Sequence, residues 1–182
     1  MNPNPMDATG YLKSLIRDIP DFPKPGIIFK DITPLLADPV GRSLVVEIIV
    51  QGYQNANIQV VAGIEARGFL FGMMIADKLN VPFVPIRKFG KLPYKKKVAH
   101  YDLEYGTSSI EIHEDAILKD HRVLIHDDLL ATGGTAMAAG ALVHQVGGVV
   151  AGFSFVIDLT FLLGGINLMQ HFGVEPHRVL KF

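Results

Sequence analysis

The stretch VLIHDDLLATGGTA, residues 123–136, runs an apolar segment into two adjacent aspartates and then into a loop of small residues with two glycines and two threonines. In an open parallel sheet, ligands bind beyond the carboxyl ends of the strands. The segment therefore predicts a strand over residues 122–127 that carries Asp127 and Asp128 to a ligand site, followed by Ala131-Thr132-Gly133-Gly134-Thr135 turning into a helix. Small residues there let backbone N–H groups approach a ligand, and a helix start favours an anion. A phosphate fits such a loop. Two carboxylates beside a phosphate would repel it unless something lies between them, and a ribose diol or a Mg²⁺ ion would serve. The combination reads as a cradle for a ribose 5-phosphate.

The pattern continues on either side. Apolar runs at 60–64 (VVAGI), 82–86 (PFVPI) and 149–158 (VVAGFSFVID) read as further strands, and 67–80 and 133–148 read as helices between them. Apolar strands alternating with helices predict an α/β fold with a mainly parallel central sheet flanked by helices. The helix near 69–79 is apolar nearly all round, which predicts deep burial. SSIEIHE (108–114) alternates and reads as an antiparallel or edge strand. The first 40 residues hold many prolines and no long period. They read as a small folded hood in which Phe22, Ile27, Ile28, Phe29 and Ile32 need burial. The polar, basic and glycine-punctuated stretch 88–106 reads as a functional loop or flexible lid. Together these predict a single domain over residues 1–182.

Composition narrows the function classes. The 182 residues are 49% hydrophobic and 19% charged, the composition of a chain with a packed core. The net charge of −1 lacks the basic excess of a general nucleic-acid binder, so no nucleic-acid partner is expected. Cysteine is absent, which removes disulfides and thiol chemistry and is compatible with a cytoplasmic location. The N-terminus does not read as a secretory signal, and the apolar stretch 146–168 is divided by Asp158 and five glycines, too interrupted for a membrane span. HEDAI (113–117) lacks the second histidine of a zincin helix, and the residue after Gly68 is Phe69, not the lysine of a nucleoside-triphosphate loop.

VLIHDDLLATGGTA resembles the phosphoribosyl pyrophosphate (PRPP) motif of type I phosphoribosyltransferases. FPKPGIIFKDITPLLADP (22–39), GIEARGFLFG (63–72), IRKFGKLP (86–93) and LEYG (103–106) are similar, in the same order, to segments of the adenine phosphoribosyltransferases. The resemblance runs from Ile19 to Leu159. His126 departs from it, standing where an aliphatic residue is usual, and the chain from Phe161 onward matches poorly.

The resemblance implies the type I phosphoribosyltransferase fold and the reaction of PRPP with adenine to AMP and pyrophosphate, with Mg²⁺ held mainly by PRPP and not directly by the protein. It implies a homodimer. Asp127 and Asp128 would hold the ribose hydroxyls, and Ala131, Thr132, Gly133, Gly134 and Thr135 the 5-phosphate. Glu65, Ala66, Arg67, Arg87, Lys88 and Lys91 would meet the pyrophosphate, the first two across a non-proline cis peptide bond. Arg87, Lys88 and Lys91 are read as lying just after a strand end, and Lys95, Lys96 and Lys97 as a solvated basic run. Ile28, Phe29, Lys30 and Leu129 would meet adenine, with Phe29 stacking on the ring; from the residues alone Phe29 is equally a core aromatic. Glu104, from composition a surface acid, would be the general acid/base, with Arg67 and Arg87 as catalytic cations. A phosphoribosyltransferase for another base, 6-oxopurine or pyrimidine, and a non-catalytic PRPP-binding regulator are the alternatives. The 6-oxopurine enzymes place a lysine at the end of the strand after the phosphate-loop helix; here that strand ends in Asp158, and no lysine lies between Lys119 and Lys181.

Overall fold

The structure, a computed structural model, describes residues 5–102 and 107–182. The chain forms two compact units, Met1–Ile48 and Ile49–Phe182.

In the first unit, helix α1 (Pro5–Ser14) leads into a two-stranded antiparallel ribbon of β1 (Arg17–Pro20) and β2 (Ile28–Asp31), followed by α2 (Thr33–Ala37) and the start of α3 (Pro39–Gly52). Asp38 starts α3: its carboxylate accepts the Gly41 N–H at 2.6 Å and the Tyr11 hydroxyl at 2.8 Å, which satisfies an otherwise open helix end. Pro39 follows at the first helical position, where its missing N–H costs nothing. Leu12, Leu35 and Ile32 are buried as expected of apolar residues, but Phe22, Ile27 and Ile28 are 52%, 41% and 55% exposed, against the burial expected of them. They lie at and around the tip of a ribbon with only two strands, and such a ribbon builds little core of its own. There Phe22 meets the edge of Phe29, with ring centres 5.2 Å apart.

The second unit carries a seven-stranded sheet. Its strands are β3 (Val60–Ile64), β4 (Phe83–Lys88), β5 (Lys96–Asp102), β6 (Thr107–His113), β7 (Arg122–Leu130), β8 (Val149–Asp158) and β9 (His177–Lys181). In space the order is β5-β6-β4-β3-β7-β8-β9. Strands β4, β3, β7, β8 and β9 are mutually parallel, while β6 runs antiparallel to both β4 and β5. Two helices bridge parallel strands, α4 (Gly68–Leu79) and α5 (Gly134–Gln145); a short 3-10 turn and α6 (Gly164–Phe172) connect β8 to β9. The expected fold class is the observed one.

Alternation along the central strands divides the core. Val123 and Ile125 join Ala62, Val84, Phe153 and the alanine-rich face of α5 in one cluster. His126 points to the other face, where its ring stands near Phe71 of α4. Only one side of α4 is buried: Phe71, Ile75 and Ala76 are enclosed, whereas Leu70 and Met73 are 47% and 54% exposed. The expectation of burial all round is corrected, because the helix lies on one face of the sheet and covers it with one stripe.

Three expected boundaries also move. Strand β4 reaches Lys88, not residue 86, since Arg87 and Lys88 pair with Glu111 and Ile110 of β6. Strand β7 reaches Leu130, because Leu129 and Leu130 pair with Ile157 and Asp158 of β8. Residues 96–102, expected within a loop, form β5 along the full length of β6. That ladder satisfies their backbone groups, and Ala99 and Tyr101 pack on the core cluster. Among the described residues no helix is long and apolar enough to cross a membrane.

Candidate active site

Parallel pairing brings the carboxyl ends of β3, β4, β7 and β8 to one end of the sheet. Residues 65–67, 87–88, 127–131 and 158 therefore gather there, where a parallel sheet binds its ligands. A cavity of about 210 Å³ opens at this end, lined by the loop 131–135 with Arg67, Asp127, Asp128, Leu129 and Phe155.

Two glycines make the approach possible. A β-carbon on Gly68 would lie 2.8 Å from the His126 carbonyl oxygen and 3.1 Å from the Asp127 Cα. Its absence lets α4 begin directly against the end of β7, and this brings the preceding Arg67 to the acids. Gly133 has φ +88°, a left-handed conformation that L side chains rarely adopt, and it forms the N-cap of α5. No side chain caps that helix, so its first-turn N–H groups remain available to an anion.

Asp128 is 5% exposed, and its Oδ2 accepts a hydrogen bond from Arg67 Nε at 2.5 Å. The Asp128 N–H donates to Asp127 Oδ1 at 2.9 Å. Burial, and then the like charge of Asp128, push the Asp127 carboxyl well above the usual carboxylate range, with Arg67 opposing the rise. Two adjacent acids of this kind favour a ligand that donates O–H groups or develops positive charge.

A second network holds the cations. Glu65 accepts from Arg87 Nε at 3.2 Å, from Arg87 Nη2 at 3.3 Å and from the Lys88 N–H at 2.9 Å. The Arg87 hydrogen bonds hold its carboxyl below the ordinary range. The peptide bond Glu65–Ala66 is cis. Arg87 and Lys88, expected after a strand end, are instead the last residues of β4, and Arg87 Nη1 donates to the Lys91 carbonyl at 3.4 Å.

Sequence reasoning missed the acid that holds this loop. Glu111 on β6 is fully enclosed, and its Oε1 accepts the Lys91 and Leu92 N–H groups at 2.8 and 2.6 Å. Its Oε2 lies 3.0 Å from Lys96 Nζ, which also donates to the Leu92 carbonyl. Burial would raise the Glu111 carboxyl, but the Leu92 N–H, the Lys96 ammonium and the neighbouring amides outweigh it and hold it below the ordinary range. Lys96, read as part of a solvated basic run, is therefore a buried carboxylate's partner. The available signal was an acid between two isoleucines in a strand, a short distance from three lysines.

The remaining expected residues fall into three places. Leu129 lines the cavity. Ile28, Phe29 and Lys30 lie on β2 of the N-terminal unit, with Lys30 Nζ 2.7 Å from Asp18. Glu104 falls outside the described residues. His126 is enclosed, with Nδ1 2.9 Å from Ser154 Oγ, and burial pushes its pKa down to about 3. It is a neutral core residue beside the site. Asp158, at the end of β8, is 2% exposed and has Arg178 Nη1 3.6 Å away.

Residues 35–158 match the family model described as a phosphoribosyl transferase domain. The chain is 47% identical over 178 residues to the adenine phosphoribosyltransferase of Paraburkholderia phytofirmans, covering 98% of this chain and 94% of that one. Among solved structures, the adenine phosphoribosyltransferase of Rhodothermus marinus superposes with a TM-score of 0.91 at 50% identity, covering 97% of this chain and 99% of that one. The adenine phosphoribosyltransferase of Saccharomyces cerevisiae, complexed with an imino-altritol bisphosphate and adenine, gives 0.86 at 35% identity over 96% and 98% of the two chains. With its two acids, uncapped helix start and arginine gathered at one end of a parallel sheet, the chain belongs to the phosphoribosyltransferase family, among the adenine phosphoribosyltransferases.

Proposed function

We propose that the protein transfers ribose 5-phosphate from PRPP to adenine, forming AMP and pyrophosphate. One observation carries the reading: Asp127, Asp128, Arg67 and the glycine loop before α5 line a single cavity. The loop accepts the 5-phosphate on its N–H groups, and the two carboxylates accept the ribose hydroxyls. As the bond from C1 to pyrophosphate loosens, positive charge grows on the sugar, and the same carboxylates stabilise it. Arg67, Arg87, Lys88 and Lys91, with the backbone at Glu65 and Ala66, take the departing pyrophosphate. Nitrogen N9 of adenine attacks from the opposite face. Ile28, Phe29 and Lys30 are assigned to the base on the resemblance of their segment alone. The same basis makes Glu104 the general acid/base and gives 88–106 the part of a lid, with 96–102 entering it as strand β5 and not as loop.

Mg²⁺ belongs to the proposal. Among the described residues no group of three or more acids or histidines could hold a metal by itself. Two adjacent carboxylates at an anion cradle still suit an ion carried in on a polyphosphate and keeping its waters. Asp127 and Asp128 would hold it through the substrate, and when bound it supplies charge neutralisation of the pyrophosphate. A homodimer acting in the cytoplasm completes the proposal.

The test is a competition among adenine, hypoxanthine and guanine at equal concentrations with PRPP and Mg²⁺. Adenine offers an amino donor and an N1 acceptor, whereas hypoxanthine reverses both, and a pocket built for one pattern leaves groups unpaired with the other. Strand β8 ends in Asp158 and carries no lysine of its own at that end; Lys181, in register beside it, belongs to β9. Adenine is expected to lead by roughly 10²-fold or more in kcat/KM. Formation of IMP or GMP at a comparable rate would overturn the choice of base and leave the phosphoribosyl transfer standing.

A further inference from the structure

The segment after residue 160, where the resemblance fades, packs its α6 start against the anion loop. Helix α6 begins at Gly164 after a left-handed turn at Leu163. A β-carbon on Gly164 would overlap the Ala131 carbonyl oxygen and stand 3.0 Å from the Gly133 nitrogen. From the other side, a β-carbon on Gly133 would stand 3.1 Å from the Gly164 carbonyl oxygen. Two glycines thus meet backbone to backbone. Between them, the Asn167 side-chain amide donates to the Thr132 carbonyl at 3.0 Å. Three consecutive loop residues are held by the first turn of one helix.

That helix is fixed independently of the loop. At its far end Phe172 packs on Phe153 with ring centres 5.1 Å apart, and a β-carbon on Gly140 of α5 would run into its ring. At its near end Arg178 fills the space beside Gly165, 2.7 Å from where a β-carbon would be, while pairing with Asp158 at the end of β8. In a trans peptide the N–H points opposite to the C=O. Holding the Thr132 carbonyl toward Asn167 therefore turns the Gly133 N–H to the other side of that peptide plane, away from α6.

We infer that Gly164 and Asn167 are positioning residues for the 5-phosphate: they set the peptide planes of Ala131–Gly133 so that the loop presents its N–H groups to the anion. This rests on the loop being the 5-phosphate site. PRPP and AMP both carry that phosphate, whereas adenine and pyrophosphate do not, so the two directions of the reaction separate a loop effect from a general lesion.

The experiment compares Asn167→Ala, Asn167→Asp and, as a probe of the loop itself, Thr135→Val, by steady-state kinetics in both directions and by thermal unfolding. Loss of one hydrogen bond predicts a rise of about fivefold in KM for both PRPP and AMP in Asn167→Ala. KM for adenine and pyrophosphate are expected to stay as in the parent, and the Tm to fall by no more than about 2–4 °C. Asn167→Asp, which sets an acceptor against the Thr132 carbonyl, raises the same two constants further. Gly164→Ala raises them most if it folds. Unchanged constants in both Asn167 variants, or AMP and pyrophosphate constants rising together, overturn the inference. If Thr135→Val raises KM for AMP while both Asn167 variants leave it alone, only the role of α6 fails. If Thr135→Val also leaves it alone, the phosphate reading of the loop fails and this inference with it.

Discussion

Arg67 Nε stands 2.5 Å from Asp128 Oδ2, so the cation preceding α4 is held on the second acid of β7. The guanidinium side is 46% exposed and the carboxylate side 7%, which leaves Arg67 able to exchange this partner for a phosphate without unburying the acid. In the proposed reaction the ribose hydroxyls would then take over the carboxylate. Asp128→Asn and Asp127→Asn should each lower kcat/KM for PRPP by the worth of a charged hydrogen bond, about 1.5–3 kcal/mol. Steady-state kinetics with PRPP as the varied substrate checks this. Parent-like values in both variants would remove the ribose from these acids.

Glu104→Gln keeps the shape of the side chain and removes its ability to exchange a proton. The expected outcome is a fall in kcat of about 10²-fold with KM for PRPP little changed. Equal losses in binding and turnover would assign Glu104 to structure instead of proton transfer.

The parts of this fold that were legible in the sequence are those whose physics is local. Val60–Ile64 and Val149–Asp158 are apolar runs buried on both sides, and each forms a strand with the bounds expected. Asn80 closes the helix read over 67–80 and Gly147 stands one residue from the end of the one read over 133–148, and both take the left-handed backbone. What was not legible depends on distant partners. The extension of β4 through Arg87 needs β6, and a basic stretch becomes β5 because the same strand offers its free side. Asn167 touches the site's loop from 35 residues along the chain and carries no local motif, while Glu111 shows only an acid between two isoleucines, with nothing local to name the Lys91 and Leu92 amides as its partners. Helix α3 went unread, although Asp38-Pro39, a cap followed by a residue suited to the first helical position, was a local signal for it.

His126 supplies a stability test. Its folded pKa of about 3 lies below the ordinary histidine value of 6.5, so the unfolded chain takes up a proton there first. The contribution is fully present above pH 6.5 and is lost as the pH falls toward the folded value. Near pH 5 the loss amounts to about 2 kcal/mol. The double variant His126→Val/Ser154→Ala removes the titrating ring without orphaning the serine hydroxyl. Urea unfolding at neutral pH and at pH 5 should show the parent losing more stability on acidification than the variant, by about that amount. Parallel losses in the two proteins would show that His126 is not held neutral.

Glu111 is placed to affect one half of the substrate site alone. Its carboxylate fixes the Lys91 and Leu92 amides and the Lys96 ammonium, and through Lys91 it reaches the loop that Arg87 also grips. In Glu111→Gln, one oxygen can still accept the two amides, but the new NH₂ group faces an ammonium, donor against donor. The loop carrying Lys91 should loosen while β7 and α5 stay as they are. In the reverse reaction KM for pyrophosphate should therefore rise several-fold with KM for AMP unchanged, and a joint rise would mean a general lesion. Stability follows the sign of the carboxyl's shift. Because the folded pKa lies below the ordinary 4.5, the stabilisation is complete above that value and disappears as the pH falls through the folded one. The parent should exceed Glu111→Gln by about 1.5–3 kcal/mol at neutral pH, the worth of a charged hydrogen bond, and the gap should close in acid. Denaturant unfolding from neutral pH to below about pH 4.5 measures the gap directly, and a gap that stays constant across that range would show that the charge of Glu111 does not hold the loop.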